Sequence, residues 1–162
     1  MFLQALELWK QQLGDKHPDV ATSLNNLANL YKSQGRFAEA EPLFLQALEL
    51  SKRLLGQEHP NVAISLNDLA LLYLEQKRYA EALPLFLQAL ELRKRLLGQE
   101  HPDVASSLQN LANLYESQGK YAEAEPLFLQ ALEIAERLLG VNHPNTSTIR
   151  ENLQSLQERS TS

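Results

Sequence analysis

Cysteine is missing from the 162 residues, and methionine and tryptophan occur once each. No disulfide can staple the fold and no thiol nucleophile is available. The chain has no run of like charge: 15 Lys and Arg stand against 20 Asp and Glu, for a net charge of −5. The basic footprint of a nucleic-acid or anionic-membrane binder is therefore missing. No stretch approaches 18 uninterrupted apolar residues, and the opening MFLQALELWKQQLG is broken by Gln4, Glu7 and Lys10 at helical spacing, unlike a secretory leader. The chain reads as soluble and cytoplasmic, and the lack of cysteine fits a reducing compartment without demanding one. Gly-rich phosphate loops, a G-x-S-x-G elbow and an H-E-x-x-H helix are also absent, so an enzyme is not expected. With 44% apolar and 22% charged residues, an ordinary globular core is affordable and disorder is excluded.

The seven prolines, six glycines and four histidines fall at positions related by a shift of 42 residues. Blocks at 13–54, 55–96 and 97–138 are complete copies, with a partial copy at 1–12 and a last segment at 139–162. Blocks one and three agree at 32 of 42 positions, and blocks one and two at 30 of 42. Such identity means that each block is one structural unit in nearly the same surroundings, as in a stacked repeat.

Inside a block the apolar period is helical. Val20, Leu24, Leu27, Ala28 and Tyr31 make one stripe of a first helix, A, which starts at His17-Pro18 and stops near Gly35. Ala40, Phe44, Ala47, Leu48 and Leu54 make the stripe of a second helix, B, spanning about 37–54 and ending at Gly56. Pro42, Pro84 and Pro126 fall in the first turns of the B helices and mark either late starts or slight kinks. Block two has Lys77 where the other blocks have Gly35 and Gly119, so that turn either tolerates a side chain or changes shape.

The histidines His17, His59, His101 and His143 are the natural suspects for metal or acid–base chemistry. Equivalent points of successive repeats are about 10 Å apart, however, whereas a zinc ligand lies about 2 Å from its metal. Each histidine also precedes a proline, which favours a turn or N-cap. No metal and no cofactor is expected. Glu39 and Glu41, like Glu123 and Glu125, are two apart on a helix and point in different directions, so they form no catalytic dyad.

Leu24, Leu27, Ala28, Tyr31, Ala40, Phe44 and Ala47 recur as Leu66, Leu69, Ala70, Tyr73, Ala82, Phe86, Ala89 and as Leu108, Leu111, Ala112, Tyr115, Ala124, Phe128, Ala131. This pattern resembles the tetratricopeptide helix-turn-helix unit over nearly the whole chain. Its length, with the segment LLGxxHPxVA, is similar to the repeats of kinesin light chain and of related bacterial arrays. The resemblance implies an all-α, right-handed superhelical solenoid of antiparallel helix pairs whose A helices line a concave groove that takes an extended peptide.

Thr22, Asn25, Asn26, Asn29 and Ser33 form a polar face opposite the leucines of helix A, although asparagine is a poor helix former. An exposed face that tolerates polar residues explains this. So does an amide row that gives a peptide backbone both donors and acceptors. On the second reading the groove residues are Asn25, Asn26, Asn29, Asn67, Leu71, Leu74, Gln109 and Asn113. Asn25, Asn67 and Asn113 bond the peptide backbone, and Leu71 and Leu74 hold an apolar side chain. Block two also places Ile64 in this apolar patch. The Lys and Arg of carboxylate-clamp relatives are missing from the matching positions. Asp68, Glu75 and Glu116 oppose the nearly lone Lys32, so the expected segment is neutral or mildly basic.

At the ends, Arg150, Gln154 and Gln157 replace the Leu24, Ala28 and Tyr31 of block one, as a capping helix requires. The N-terminal segment keeps Phe2 and Leu6 and adds Trp9, which predicts a self-association face and a possible homodimer. The competing reading of the whole chain is a structural or self-assembling repeat module, an excised or designed consensus-like array with no peptide ligand of its own.

Overall fold

The computed structural model describes residues 18–160, which form seven α-helices. They are α1 (Pro18–Ser33), α2 (Phe37–Leu55), α3 (Pro60–Glu75), α4 (Tyr79–Leu97), α5 (Pro102–Ser117), α6 (Tyr121–Leu139) and α7 (Pro144–Ser160). The odd-numbered helices are A helices and the even-numbered ones B helices. The chain divides into two compact units between Arg78 and Tyr79, so α1–α3 belong to the first and α4–α7 to the second.

Each described histidine starts a helix. His59 and His101 have extended backbone, with φ −118° and −130°, while Pro60 and Pro102 open α3 and α5. The ring Nδ1 of His59 accepts from the Asn61 N–H at 3.1 Å, that of His101 from Asp103 at 3.1 Å and that of His143 from Asn145 at 3.2 Å. An imidazole nitrogen thus does what a serine or aspartate oxygen usually does at an N-cap, satisfying a helix N–H that has no internal partner. His17 lies outside the described residues.

The A-to-B turns share one geometry. Gly35 (φ 72°) donates its N–H to the Lys32 carbonyl at 2.9 Å, and Arg36 donates to the Tyr31 carbonyl at 2.9 Å. Gly119 and Lys120 repeat the pair on Glu116 and Tyr115 at 2.8 and 2.9 Å. These nested bonds are the Schellman arrangement, in which the residue after the helix is left-handed. Lys77 adopts it as well, at φ 59°, with Lys77 donating to Leu74 at 2.9 Å and Arg78 to Tyr73 at 2.8 Å. The turn therefore keeps its shape and the side chain accepts the strain. The cation after each turn folds back over the tyrosine of the last helical turn: Arg36 on Tyr31 at 4.0 Å, Arg78 on Tyr73 at 4.1 Å and Lys120 on Tyr115 at 5.9 Å.

Helices α2, α4 and α6 start five residues before Pro42, Pro84 and Pro126, so the prolines do not mark late starts. Each removes one N–H from the ladder. Ala38, Ala80 and Ala122, whose carbonyls lose that partner, are exposed, so water can replace it.

Burial follows the apolar stripes. In the first unit Val20, Ala21, Leu24, Leu27, Ala47 and Leu50 form a continuous core on which Leu30, Tyr31, Leu43 and Leu54 pack. Ala40, Phe44 and Ala47 are completely buried on α2, and Ala124, Phe128 and Ala131 are so on α6. Alanines on either side of a phenylalanine let helix backbones approach while one large ring fills the remaining space. On α7, Ile149, Leu153 and Leu156 are buried and Arg150, Gln154 and Gln157 are exposed.

Lys77→Gly is expected to stabilise the protein. A left-handed side chain costs about 1–2 kcal/mol, and the greater freedom of unfolded glycine returns about 0.5–1 kcal/mol of that. Thermal unfolding followed by circular dichroism should show a midpoint a few degrees higher, roughly 2–4 °C per kcal/mol for a chain of this size. The reverse change, Gly119→Lys, should lower it by a similar amount. Histidine caps give a second expectation: His101→Ala should cost about 1 kcal/mol and His101→Asp should recover it.

Candidate functional site

Adjacent A helices of the first unit are tied together through the face that the sequence marked as polar. Asn25 of α1 is only 7% exposed, and its Nδ2 donates to Oδ2 of Asp68 on α3 at 2.5 Å. One turn further along α1, Asn29 Nδ2 donates to the same oxygen at 2.9 Å. A single carboxylate thus gathers two amides from the neighbouring helix. At the end of the face Lys32 Nζ meets Glu75 at 3.5 Å. The second unit carries the same rung with the signs reversed: Glu116 on α5 accepts from Arg159 on α7 at 2.9 Å. The register of the A helices is the same in both pairs, and only the direction of the charge changes.

Other bonds fasten a B helix to the next A helix. Tyr73 Oη donates to Glu41 Oε1 at 3.0 Å, while Arg78 Nη1 donates to Glu41 Oε2 at 2.7 Å. In the second unit Gln157 occupies the Tyr73 register and donates to Glu125, the counterpart of Glu41, at 2.9 Å. Arg150 pairs with Glu136 at 2.6 Å. Glu41 and Glu125 therefore act as acceptors for the following A helix. Glu39 faces solvent and pairs with Arg36; that bond holds its carboxyl below the usual carboxylate range and raises the guanidinium.

Of the residues expected to line a peptide groove, Asn26 is exposed and Asn29, Leu71, Leu74, Gln109 and Asn113 are half-buried. Asn25 and Asn67 are buried, both at 7% exposure. Asn25 in particular gives an N–H to Asp68, and its Oδ1 is buried without a partner. Ile64 is 45% exposed on the same face of α3. Asp68 was visible in the sequence only as an acidic residue opposing Lys32; its role as the common acceptor of two asparagines depends on a helix-to-helix register that sequence spacing does not display. Phe2, Leu6 and Trp9 lie outside the described residues. No cluster of three metal-binding side chains occurs among the described residues, and no described helix is long and apolar enough to cross a membrane.

Removing the shared acceptor tests this linkage. Asp68→Ala should cost about 1–3 kcal/mol, because it leaves the buried Asn25 amide without a partner. Combined with Asn25→Ala, the loss should be clearly less than the sum of the two single losses in a double-mutant cycle by chemical denaturation. Additive losses would show that the bond carries no stability.

A sequence profile of the tetratricopeptide repeat family matches residues 1–53, 25–95, 62–137 and 103–160. A search of curated proteins finds no match. Among solved structures, the chain is similar to BtubC (BKLC) from P. vanneervenii, with 31% identity and a TM-score of 0.77 over 88% of this chain and 57% of that one. The chain thus spans little more than half of that relative. It is also similar to a Podosopora anserina protein described as a kinesin light chain with nearly identical TPR-like repeats, at 27% identity and TM-score 0.79 over 99% of this chain and 76% of that one. The N-terminal domain of stress-induced protein-1 from C. elegans shares the fold, with 19% identity and TM-score 0.62 over 86% of this chain and 96% of that domain. The helix pairs, their turns and the recurrent Ala-Phe-Ala packing agree with these matches: the chain belongs to the tetratricopeptide repeat family and has its all-α helical-repeat fold, of the kinesin-light-chain-like kind.

Proposed function

We propose that the protein is a non-catalytic, cytoplasmic interaction scaffold that binds an extended segment of a partner protein along the polar face of its A helices. Tetratricopeptide repeats are generally protein-interaction modules. The observation that carries the reading for this chain is the composition of one face. Exposed Asn26, the half-buried amide of Asn29 and partly open apolar Ile64, Leu71 and Leu74 lie on neighbouring helices held in register by Asp68. Amides bond to a peptide backbone without selecting its sequence, and the apolar side chains give one position a preference.

On this reading the residues of the face divide the work. Asn25 gives an N–H to Asp68 and keeps an unpartnered Oδ1, so backbone bonding rests chiefly on Asn26 and on the donor and acceptor capacity that Asn29 retains beyond one N–H. Asn67 continues the row on α3, and within the second unit Gln109 and Asn113 of α5 stand at the matching positions. The apolar anchor rests on Leu71 and Leu74, with Ile64 beside them on α3. A net charge of −5 favours neutral or basic segments over acidic ones. A protein, not a nucleic acid or a bilayer, is the partner that this chemistry suits.

Titration of an array of short apolar-anchored peptides should give binding that Leu71→Asp weakens about tenfold or more, since burying a carboxylate against an apolar side chain is costly. Equal binding by wild type and Leu71→Asp would remove the anchor from α3. If a scrambled set and an apolar-anchored set gave the same background signal, the protein would be a structural module without a peptide ligand.

A further inference from the structure

The end of each B helix holds a position that faces the next A helix, and the three complete blocks fill it differently: Ser51, Arg93 and Ala135. Arg93 of α4 reaches across to α5, where its Nη1 donates to Ser107 Oγ at 2.7 Å and to the Asp103 carbonyl at 3.2 Å. The equivalent of Ser107 in the first unit is Ser65, and the equivalent of Asp103 is Asn61. Those two acceptors are kept there, but the arginine is replaced by Ser51. A cleft of about 200 Å³ results.

Its floor is formed by Ala21, Asn25, Ser51 and Ser65, each at least nine-tenths buried. Its rim includes Thr22, Asn26 and Ile64, which are exposed on the polar face of α1 and α3. The cleft therefore belongs to the face to which peptide binding is assigned. No charged side chain lines it. The Asn25 wall holds a buried Oδ1 with no hydrogen-bond partner, and the same amide donates on its other side to the Asp68 carboxylate. The lining thus brings together two serines and an unpartnered amide oxygen, beside Asn61, whose counterpart Asp103 gives its carbonyl to Arg93, with an anion one bond behind the amide. Such a wall lacks a donor that fits it.

We propose that this cleft receives an arginine side chain of the bound partner segment, in the place that Arg93 fills from within the chain one repeat later. The proposal rests on the peptide-binding reading and names the side chain that the partner contributes. The guanidinium donates to Ser65 Oγ and to the Asn61 carbonyl, as Arg93 does to Ser107 and Asp103. Its remaining N–H groups lie toward Ser51 and Asn25, and the methylenes of the incoming side chain pass Ile64. Lysine suits the cleft less well, because a single ammonium cannot spread several donors across a flat set of acceptors.

The test uses acetylated, amidated hexapeptides carrying arginine, lysine or the neutral isostere citrulline at one position, with two mutants of the full chain. Wild type should bind the arginine peptides about tenfold more tightly than the citrulline ones, the effect of one charge-assisted bond. Ser51→Arg, which copies block two and should fold with unchanged helicity, should abolish that preference. Ser65→Val should reduce it by a similar factor. N-acetylarginine amide alone, titrated with amide chemical shifts as the readout, should move Ser51, Asn61 and Ser65 in wild type and not in Ser51→Arg. Equal binding of arginine and citrulline peptides, or a preference that survives Ser51→Arg, would overturn the proposal. If no hexapeptide binds but N-acetylarginine amide still moves those three residues, the cleft stands and the extended-peptide reading falls. If neither binds, both fall.

Discussion

An isolated pair of amphipathic helices cannot cover its own apolar surface, and this fold is built on the requirement that each B helix be roofed by the next A helix. The requirement explains why alanines flank each buried phenylalanine, since only a small side chain lets the next helix come close enough to close over the ring. It also explains why the polar bonds recur at fixed register. Glu41 on Tyr73 and Arg78, and Glu125 on Gln157, join the same positions of successive helices because packing has already placed them side by side.

Once the roof is in place, the helix ends require little adjustment. The histidine caps satisfy N–H groups at the A-helix starts, and the left-handed turn closes each A helix before the B helix begins. The turn is robust enough to be kept by Lys77, at φ 59°, in the block that has lost its glycine. Packing on both sides fixes the path of the chain, and one strained residue is a small cost beside it. The blocks diverge at exposed positions such as Thr22 and Ile64 on the A helices, and also at the B-helix ends, where Ser51, Arg93 and Ala135 face the next A helix.

Most of the fold was legible in the sequence because a period of 42 residues repeats every structural signal three times. Among the described residues, helix bounds, turn glycines and the histidine-proline starts lie close to their expected places. Two features were not legible. Polar spacing marked Asn25 as a groove residue but did not show that it is buried and donates to Asp68, because an asparagine facing a neighbouring helix has the same spacing as one facing solvent. Proline position suggested two alternatives for α2, and the helix passes through Pro42 because Ala38 is exposed and its released carbonyl can be hydrated. The candidate site was legible as a face; the assignment of tasks within it required knowing which helix lies beside which.

The central claim is that the face bearing Asn26, Asp68 and Leu71 is the working surface of the protein. The B helices offer a direct contrast, with Leu45, Leu87 and Leu129 exposed at 46%, 42% and 49% at equivalent positions. Backbone amide chemical-shift mapping of a saturating peptide distinguishes the two faces in one experiment. The account predicts shifts concentrated on α1 and α3 around Asn26, Ile64 and Leu71. Shifts concentrated around Leu45, Leu87 and Leu129 would contradict it.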